Sequence, residues 1–212
     1  MPMRSLAELV TPSKTAIIIV DVQNDFCDPA GAAGKSGKDT GAAMAMIPTL
    51  NRLIDAAREH GTNVIFIQTI HEPSTDSEAW LDRRSDPNAK NCLKGTWGAE
   101  FTGVAPREGE PVVIKHRYSA FVNTRLESVL RTLKVETIVV LGVATNVCVE
   151  STARHGFMLD YHTIFVSDCS AGYNQAAHDL TLRNHARYFG QVATAQEIID
   201  AWAATHAVAE AV

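Results

Sequence analysis

Three residues of types that carry out covalent catalysis follow apolar segments of this sequence. Asp21 comes directly after AIIIV, Lys115 directly after VVI, and Cys148 five residues after TIVVLGV. A thiol can act as a nucleophile, a carboxylate can take its proton, and an ammonium group stabilises the charges that result. Together the three types indicate nucleophilic acyl transfer.

Each of these residues also has an ordinary structural interpretation. A lone helical cysteine is commonly a small buried hydrophobe, Lys115 can extend along apolar surface to solvent, and Asp21 can cap a turn. Cys148 lies near the beginning of a predicted helix, where the helix dipole favours the thiolate and unpaired N–H groups can form an oxyanion hole. The catalytic interpretation accounts for all three residues at once.

The elements that would bring these residues together follow from the pattern of apolar segments. Short runs rich in Val and Ile are typical of strands buried on both faces, and they lie at 16–22, 63–69, 112–116, 137–143, 162–167 and 191–195. Helix-like stretches separate or follow them, at 42–61, 123–134, 145–160, 174–190 and 195–207. This alternation predicts an α/β fold with helices on both faces of a parallel sheet, which binds ligands beyond the carboxyl ends of its strands.

Some boundaries of the helices can be predicted from single residues. Gly61 is a stop signal after the first helix, and Asn123 and Asn174 are suited to begin helices as N-caps. Pro48 would end or kink the first helix, so we expect that helix to begin near Pro48.

The segment 70–110 interrupts the alternation of strands and helices. It contains Pro73, Pro87 and Pro106 and two tryptophans without a periodic element. Because long excursions from a compact domain commonly form a binding wall, a lid or a subunit contact, we expect 70–110 to contribute to an active-site wall or a subunit interface of a single domain spanning 1–212.

Composition and charge exclude several classes of protein. The chain has 212 residues, of which 46% are hydrophobic and 20% charged, as in packed globular domains. The net charge of −5 does not favour nucleic-acid binding. No apolar run approaches the roughly 18 residues of a membrane span, and we expect a cytoplasmic protein with no membrane partner.

Three segments carry a resemblance to a known family. DVQNDF (21–26), the lysine of VIKHRYSAF (113–121) and GVATNVCVESTARHGF (142–157) resemble, in this order, the signature segments of isochorismatase-like cysteine hydrolases. The similarity covers nearly the whole chain. Within that superfamily, RYSAFVNT, ATNVCVEST and the GTW at 95–97 are most similar to ureidoacrylate and peroxyureidoacrylate amidohydrolases, with biuret, triuret and N-carbamoyl amide hydrolases as looser relatives.

The resemblance implies a fold and a mechanism. It implies a single three-layer α/β/α domain with a six-stranded parallel sheet and a catalytic triad of Asp21, Lys115 and Cys148. It also implies a cis peptide between Val143 and Ala144, which turns the N–H of Ala144 toward the oxyanion beside that of Cys148. Isochorismatases proper lack this cysteine and cleave a vinyl ether, so Cys148 indicates hydrolysis of a C–N bond in a small amide or ureide. Relatives are commonly homodimers or homotetramers.

Departures from the family pattern concern the pocket. Nicotinamidases bind a metal through an Asp-x-His pair and a further His, whereas Thr69 precedes His71 here, so we expect no metal and no cofactor. Ureidoacrylate hydrolases carry Asn and Trp at these two aligned positions. Aromatic or polar groups near the predicted strand ends are candidates to contact substrate, namely Phe26, His71, Trp97, Tyr118 and Phe121.

Alternatives to a ureide hydrolase stay open at this point. A maleamate-type aliphatic amidase would use the same triad without releasing carbon dioxide, a catalytically silent binding domain would keep only the fold, and a redox sensor would oxidise Cys148 reversibly. Cys27 and Cys169 are expected to be structural, and Cys92 lies in the excursion, where it could be exposed.

Overall fold

The computed structural model describes residues 4–83 and 90–210, except for the side chains of 205–210. Pro87, one of the prolines of the excursion, lies outside these ranges. Within them, no helix has the length and apolar character needed to cross a membrane.

Six parallel strands form one sheet. The strands are β1 Thr15–Val20, β2 Asn63–Thr69, β3 Val112–Lys115, β4 Thr137–Val143, β5 His162–Ala171 and β6 Gln191–Ala193. Their order is β3-β2-β1-β4-β5-β6, with every neighbouring pair parallel. The direction of winding therefore reverses between β1 and β4, and such a switch point leaves a crevice at the carboxyl ends of these two strands.

Helices cover both faces of the sheet. The longer ones are α1 Gly41–Glu59, α2 Leu126–Thr132, α3 Glu150–Met158, α4 Gln175–Tyr188 and α5 Ala195–Glu210. α1 and α5 pack on the face that carries Ile17 and Ile19, and α2, α3 and α4 pack on the face that carries Ile18 and Val140. This three-layer α/β/α architecture confirms the predicted fold class.

Two predicted strands have the observed boundaries, whereas β5 is longer than expected. The predictions 63–69 and 137–143 coincide with β2 and β4. β5 continues to Ala171 because an irregularity between Val140 and Gly142 lets its second half resume pairing with β4. Gly142 has φ +120°, and a Cβ there would lie 2.1 Å from the carbonyl oxygen of Val20. Glycine thus permits the close approach of β4 to β1 beside the crevice.

The predictions for helix ends were right for two residues and wrong for two. Asn174 caps α4 by accepting a hydrogen bond from the N–H of Ala177, and Gly61 follows α1 with a positive φ. α1 runs through Pro48, because Pro48 is exposed and the helix buries apolar residues on both sides of it. Asn123 does not cap α2, which begins at Leu126.

Candidate active site

The structure brings Asp21, Lys115 and Cys148 together at the carboxyl edge of the sheet. Lys115 Nζ lies 2.8 Å from Asp21 Oδ2 and 3.5 Å from Cys148 Sγ. The exposed fractions of Asp21, Lys115 and Cys148 are 0%, 1% and 8%, so Cys148 is the most exposed of the three. A carboxylate, an ammonium group and a thiol therefore form one buried cluster that opens toward the thiol.

Each of the three residues is positioned by the strand that precedes or contains it. Asp21 directly follows β1, has φ +54°, and donates its N–H to the carbonyl of Ile67 on β2. Lys115 is the last residue of β3 and pairs in register with Thr69 on β2. Cys148 lies after β4 in a π-helical turn, Thr145–Val149, that leads into α3. The predicted helix 145–160 is therefore α-helical only from Glu150.

Thr69, which the sequence analysis treated only as a non-ligand, joins this cluster. Its hydroxyl donates to Asp21 Oδ1 at 2.9 Å and accepts from Lys115 Nζ at 2.8 Å. The Gln23 side chain holds the backbone of Thr69 by donating to its carbonyl at 2.9 Å and accepting from its N–H at 2.8 Å. In the sequence, this role could have been inferred only from the position of Thr69 at the end of β2 and of Gln23 within DVQNDF.

Burial and charge set the protonation of the cluster. Burial acts to lower the pKa of Lys115, but Asp21 and Cys148 overcome it and raise that pKa above its ordinary value. Burial raises the pKa of the Cys148 thiol to about 12, with Lys115 opposing and Asp21 reinforcing this shift. The helix dipole favours the thiolate, but desolvation of the buried sulfur opposes it. The thiol needs a base when it reacts.

The backbone beside Cys148 has the expected conformation. The Val143–Ala144 peptide bond is cis. Ala144 and Cys148 both line the pocket. In a π-helix each N–H donates to the carbonyl five residues earlier. For Cys148 that carbonyl belongs to Val143, which precedes the turn, so the N–H of Cys148 has no such partner within Thr145–Val149.

A pocket of about 530 Å³ opens over the cluster and reaches Cys148, Lys115 and Thr69. Of the five predicted substrate contacts, Phe26, His71 and Tyr118 line it. Phe121 does not, because it packs in the core against His155 and Tyr161. Trp97 is also absent from the lining; it lies half-exposed in a 3-10 turn, Trp97–Ala99.

The excursion supplies much of one pocket wall. The ring of Trp80 stacks on His71 at 5.9 Å between centroids, and Arg83 lies over the Trp80 ring at 3.4 Å from its centroid. Asp76 Oδ1 lies 2.7 Å from His71 Nδ1. The sequence analysis did not identify Trp80 and Arg83 as pocket residues. The only indication in the sequence was a tryptophan within a nonperiodic segment.

The other three cysteines lie away from this chemistry. Cys27 and Cys169 are fully buried in one core cluster. Cys92 is also fully buried, so exposure of this residue is excluded; it packs with Ile70 and Ala99 under the excursion. Burial raises the pKa of all three thiols. None of them lines the pocket.

Comparisons with known proteins agree with this fold and geometry. The chain is similar to the ureidoacrylate amidohydrolase RutB of Serratia proteamaculans, with 34% identity over 96% of this chain and 89% of that protein. It is similar to the protein of the same name from Agrobacterium fabrum, with 32% identity over 93% of each. A crystal structure of a cysteine hydrolase from Pseudomonas syringae pv. phaseolicola superposes with a TM-score of 0.83, at 29% identity over 92% of this chain and 95% of that one.

The family model for the isochorismatase domain matches residues 15–197, from the first residue of β1 into α5. The match therefore includes the whole sheet, the π-helical turn and the three clustered residues Asp21, Lys115 and Cys148. The chain belongs to the isochorismatase family.

Proposed function

We propose that this protein is a metal-independent cysteine amidohydrolase that cleaves a C–N bond of a small ureido, carbamoyl or carboxamide compound and releases ammonia. The observation that carries the proposal is the buried contact of Lys115 Nζ with both Asp21 Oδ2 and Cys148 Sγ under an open pocket. The relatives named ureidoacrylate amidohydrolases support the same class of bond.

In the proposed first half-reaction, Asp21 takes the proton of the Cys148 thiol as the sulfur attacks the substrate carbonyl carbon. Asp21 Oδ2 makes no hydrogen bond among the described residues beyond its ion pair with Lys115, so it can accept this proton. Lys115 stabilises the charges on carboxylate and sulfur. The N–H groups of Ala144 and Cys148 donate to the oxyanion. The C–N bond then breaks, and the amine leaves with the proton from Asp21.

The second half-reaction hydrolyses the thioester. Asp21 takes a proton from water, the hydroxide attacks the thioester carbonyl, and the C–S bond breaks as the thiol recovers its proton. An amide substrate gives a carboxylic acid. A ureide whose substituted nitrogen leaves as the amine gives carbamate, which decomposes to carbon dioxide and ammonia. A ureide whose terminal nitrogen leaves as ammonia gives an N-substituted carbamate, which decomposes to carbon dioxide and the substituted amine.

Measurement of both gases tests the proposal. We expect ammonia together with carbon dioxide from at least one ureide in a panel of ureidoacrylate, biuret, N-carbamoyl amino acids, maleamate and nicotinamide. The protein is treated with chelator beforehand, and Cys148→Ser serves as the blank. Ammonia without carbon dioxide, from maleamate alone, would replace the ureide assignment by a simple amidase. No ammonia from any compound would contradict the proposed function.

Assembly and location remain predictions from the sequence. We keep the homodimer or homotetramer that the resemblance implies, which sedimentation velocity tests; a monomer would contradict it. A working thiol accords with the reducing cytoplasm as its compartment.

A further inference from the structure

Positive charge is concentrated at the mouth of the pocket. Five cationic side chains line it above the level of Lys115, namely Lys35, Lys38, Arg83, Lys90 and Arg117. They come from three separate segments, including the lysine-containing segment 31–43 and the excursion. The whole chain carries a net charge of −5, so this concentration does not follow from a basic composition.

No described carboxylate neutralises these five cations. None of the five forms an ion pair within the described part of the chain. The one acidic residue in the described lining is Asp25. Its two carboxylate oxygens accept hydrogen bonds from the backbone N–H groups of Ala32, at 2.9 Å, and Cys92, at 2.6 Å. The mouth therefore presents a net positive field to an entering molecule.

Two of the cations make several contacts that hold their guanidinium groups. The guanidinium of Arg83 lies on the Trp80 ring and donates from Nε to the hydroxyl of Tyr118 at 2.8 Å. Arg117 also lies over that ring, 4.9 Å from its centroid, and donates to the carbonyls of Thr75 and His116. A guanidinium held in place binds a carboxylate with little further loss of conformational freedom.

We propose that Arg83 and Arg117 are the residues that bind a carboxylate at the end of the substrate away from the scissile C–N bond, and that the lysines at the mouth attract it. This inference rests on the proposed function and narrows it to anionic amides and ureides. Neutral compounds of the same size, such as biuret, are correspondingly poor substrates.

Matched acids and esters test the inference. We compare ureidoacrylate and N-carbamoyl-β-alanine with their methyl esters, and follow ammonia. We expect kcat/KM to be at least about tenfold higher for the better acid than for its ester at low salt. The difference should shrink as salt is raised, because screening acts on the charged substrate alone. Esters or biuret that react as fast as the acids would overturn the inference, whereas no ammonia from any of them would count against the proposed function itself.

Substitutions at the mouth of the pocket test whether Arg83 is responsible for the preference for acids over esters. Arg83→Gln is expected to reduce the ratio of kcat/KM for acid over ester by about tenfold, and Arg83→Lys to retain part of it. Lys134→Gln is the matched control, since Lys134 is exposed and lies outside the pocket lining. A ratio unchanged in Arg83→Gln, or reduced equally in Lys134→Gln, would overturn the assignment.

A separate observation concerns Thr69. Its hydroxyl hydrogen-bonds to both Asp21 and Lys115, and the Gln23 side chain bonds to both its N–H and its carbonyl. We infer that Thr69 is a positioning residue, which keeps the carboxylate oriented so that its other oxygen, Oδ2, is available for the proton of the Cys148 thiol.

Two substitutions at Thr69 separate positioning from packing. Thr69→Val keeps the shape and removes the hydroxyl, and we expect kcat to fall roughly 10- to 100-fold with little change in KM. Thr69→Ser should restore kcat.

Thr62→Val is the matched control for Thr69. Thr62 is equally buried, lies outside the pocket lining, and its hydroxyl has no hydrogen-bond partner among the described residues. An unchanged kcat in Thr69→Val, a rise in KM in place of the fall in kcat, or equal losses in Thr62→Val would show that the bridging hydroxyl does not position the triad.

Discussion

Cys148→Ser is expected to lower kcat for ammonia release by a factor of at least about 10⁴, as removal of a nucleophile does in enzymes that use one. The substitution is nearly isosteric at a residue that is 8% exposed, so the fold should persist. A serine hydroxyl is far less acidic and far less nucleophilic than a thiol, so it attacks an amide carbonyl much more slowly from the same position. Intact-protein mass after an acid quench should show an acyl or carbamoyl adduct in the wild type only.

Cys169→Ser provides the control for Cys148. Cys169 is also a buried thiol, but it lies in the core and does not line the pocket. Its turnover per folded molecule should stay within about threefold of the wild type, in line with a residue remote from the chemistry. Full turnover in Cys148→Ser would contradict the thioester mechanism.

The rate at which Cys148 is alkylated should depend on pH, because only the thiolate reacts. Since burial raises the pKa of the thiol to about 12, the thiolate fraction is small at neutral pH and increases as the pH approaches that value. Alkylation of Cys148 by iodoacetamide should therefore accelerate about tenfold per pH unit between roughly pH 7 and 9. A plateau near neutral pH would indicate a preformed thiolate.

The second large effect is expected from Lys115→Met, which should abolish turnover and lower the free energy of unfolding by about 3–5 kcal/mol. Lys115 and Asp21 are both almost completely buried, 2.8 Å apart. The methionine fills the space of the lysine but leaves the Asp21 carboxylate without its counter-ion. Urea unfolding measures the loss of stability, and ammonia release measures the loss of turnover.

A double variant separates these two effects. Asp21→Asn/Lys115→Met removes both charges, so the free energy of unfolding should recover most of the loss while turnover stays absent. The single variant Lys115→Met should unfold at lower urea than the double variant. Equal stability of the two, or turnover in either, would contradict the assigned roles of the pair.

The wild-type protein should also lose stability at high pH. The pKa of Lys115 is raised in the folded state above its ordinary value of 10.5. Its stabilising contribution is therefore complete below that ordinary value and is lost as the pH rises through the folded-state pKa. Lys115→Met should lack this part of the alkaline decline.

The sequence by itself determined the fold class and the three clustered residues. Runs such as 63–69 and 137–143 are mostly apolar because the strands are covered on both faces. A polar residue at the carboxyl end of such a run must therefore lie at the edge of the sheet. This reasoning located Asp21 and Lys115, and the segment after β4 located Cys148. The side chain of Asn174 likewise predicted the beginning of α4, and Gly61 predicted the end of α1.

Local signals failed where packing outweighed them. Pro48 remains inside α1 because the apolar residues on both sides of it are buried together. The helix dipole alone does not set the protonation of Cys148, since the depth of burial that raises the pKa of the thiol depends on the surrounding elements. Phe121, expected near the substrate, turned inward to the core.

Only the tertiary structure decided how the pocket is built around the cluster. Thr69 bridges Asp21 and Lys115 because β2 lies between β1 and β3 in the sheet, an order that the sequence does not state. The cations at the mouth converge from segments far apart in the chain, and they outnumber the one carboxylate of the described lining, Asp25. Periodicity reports which face of an element is buried, whereas distances between side chains on different elements follow from how those elements pack.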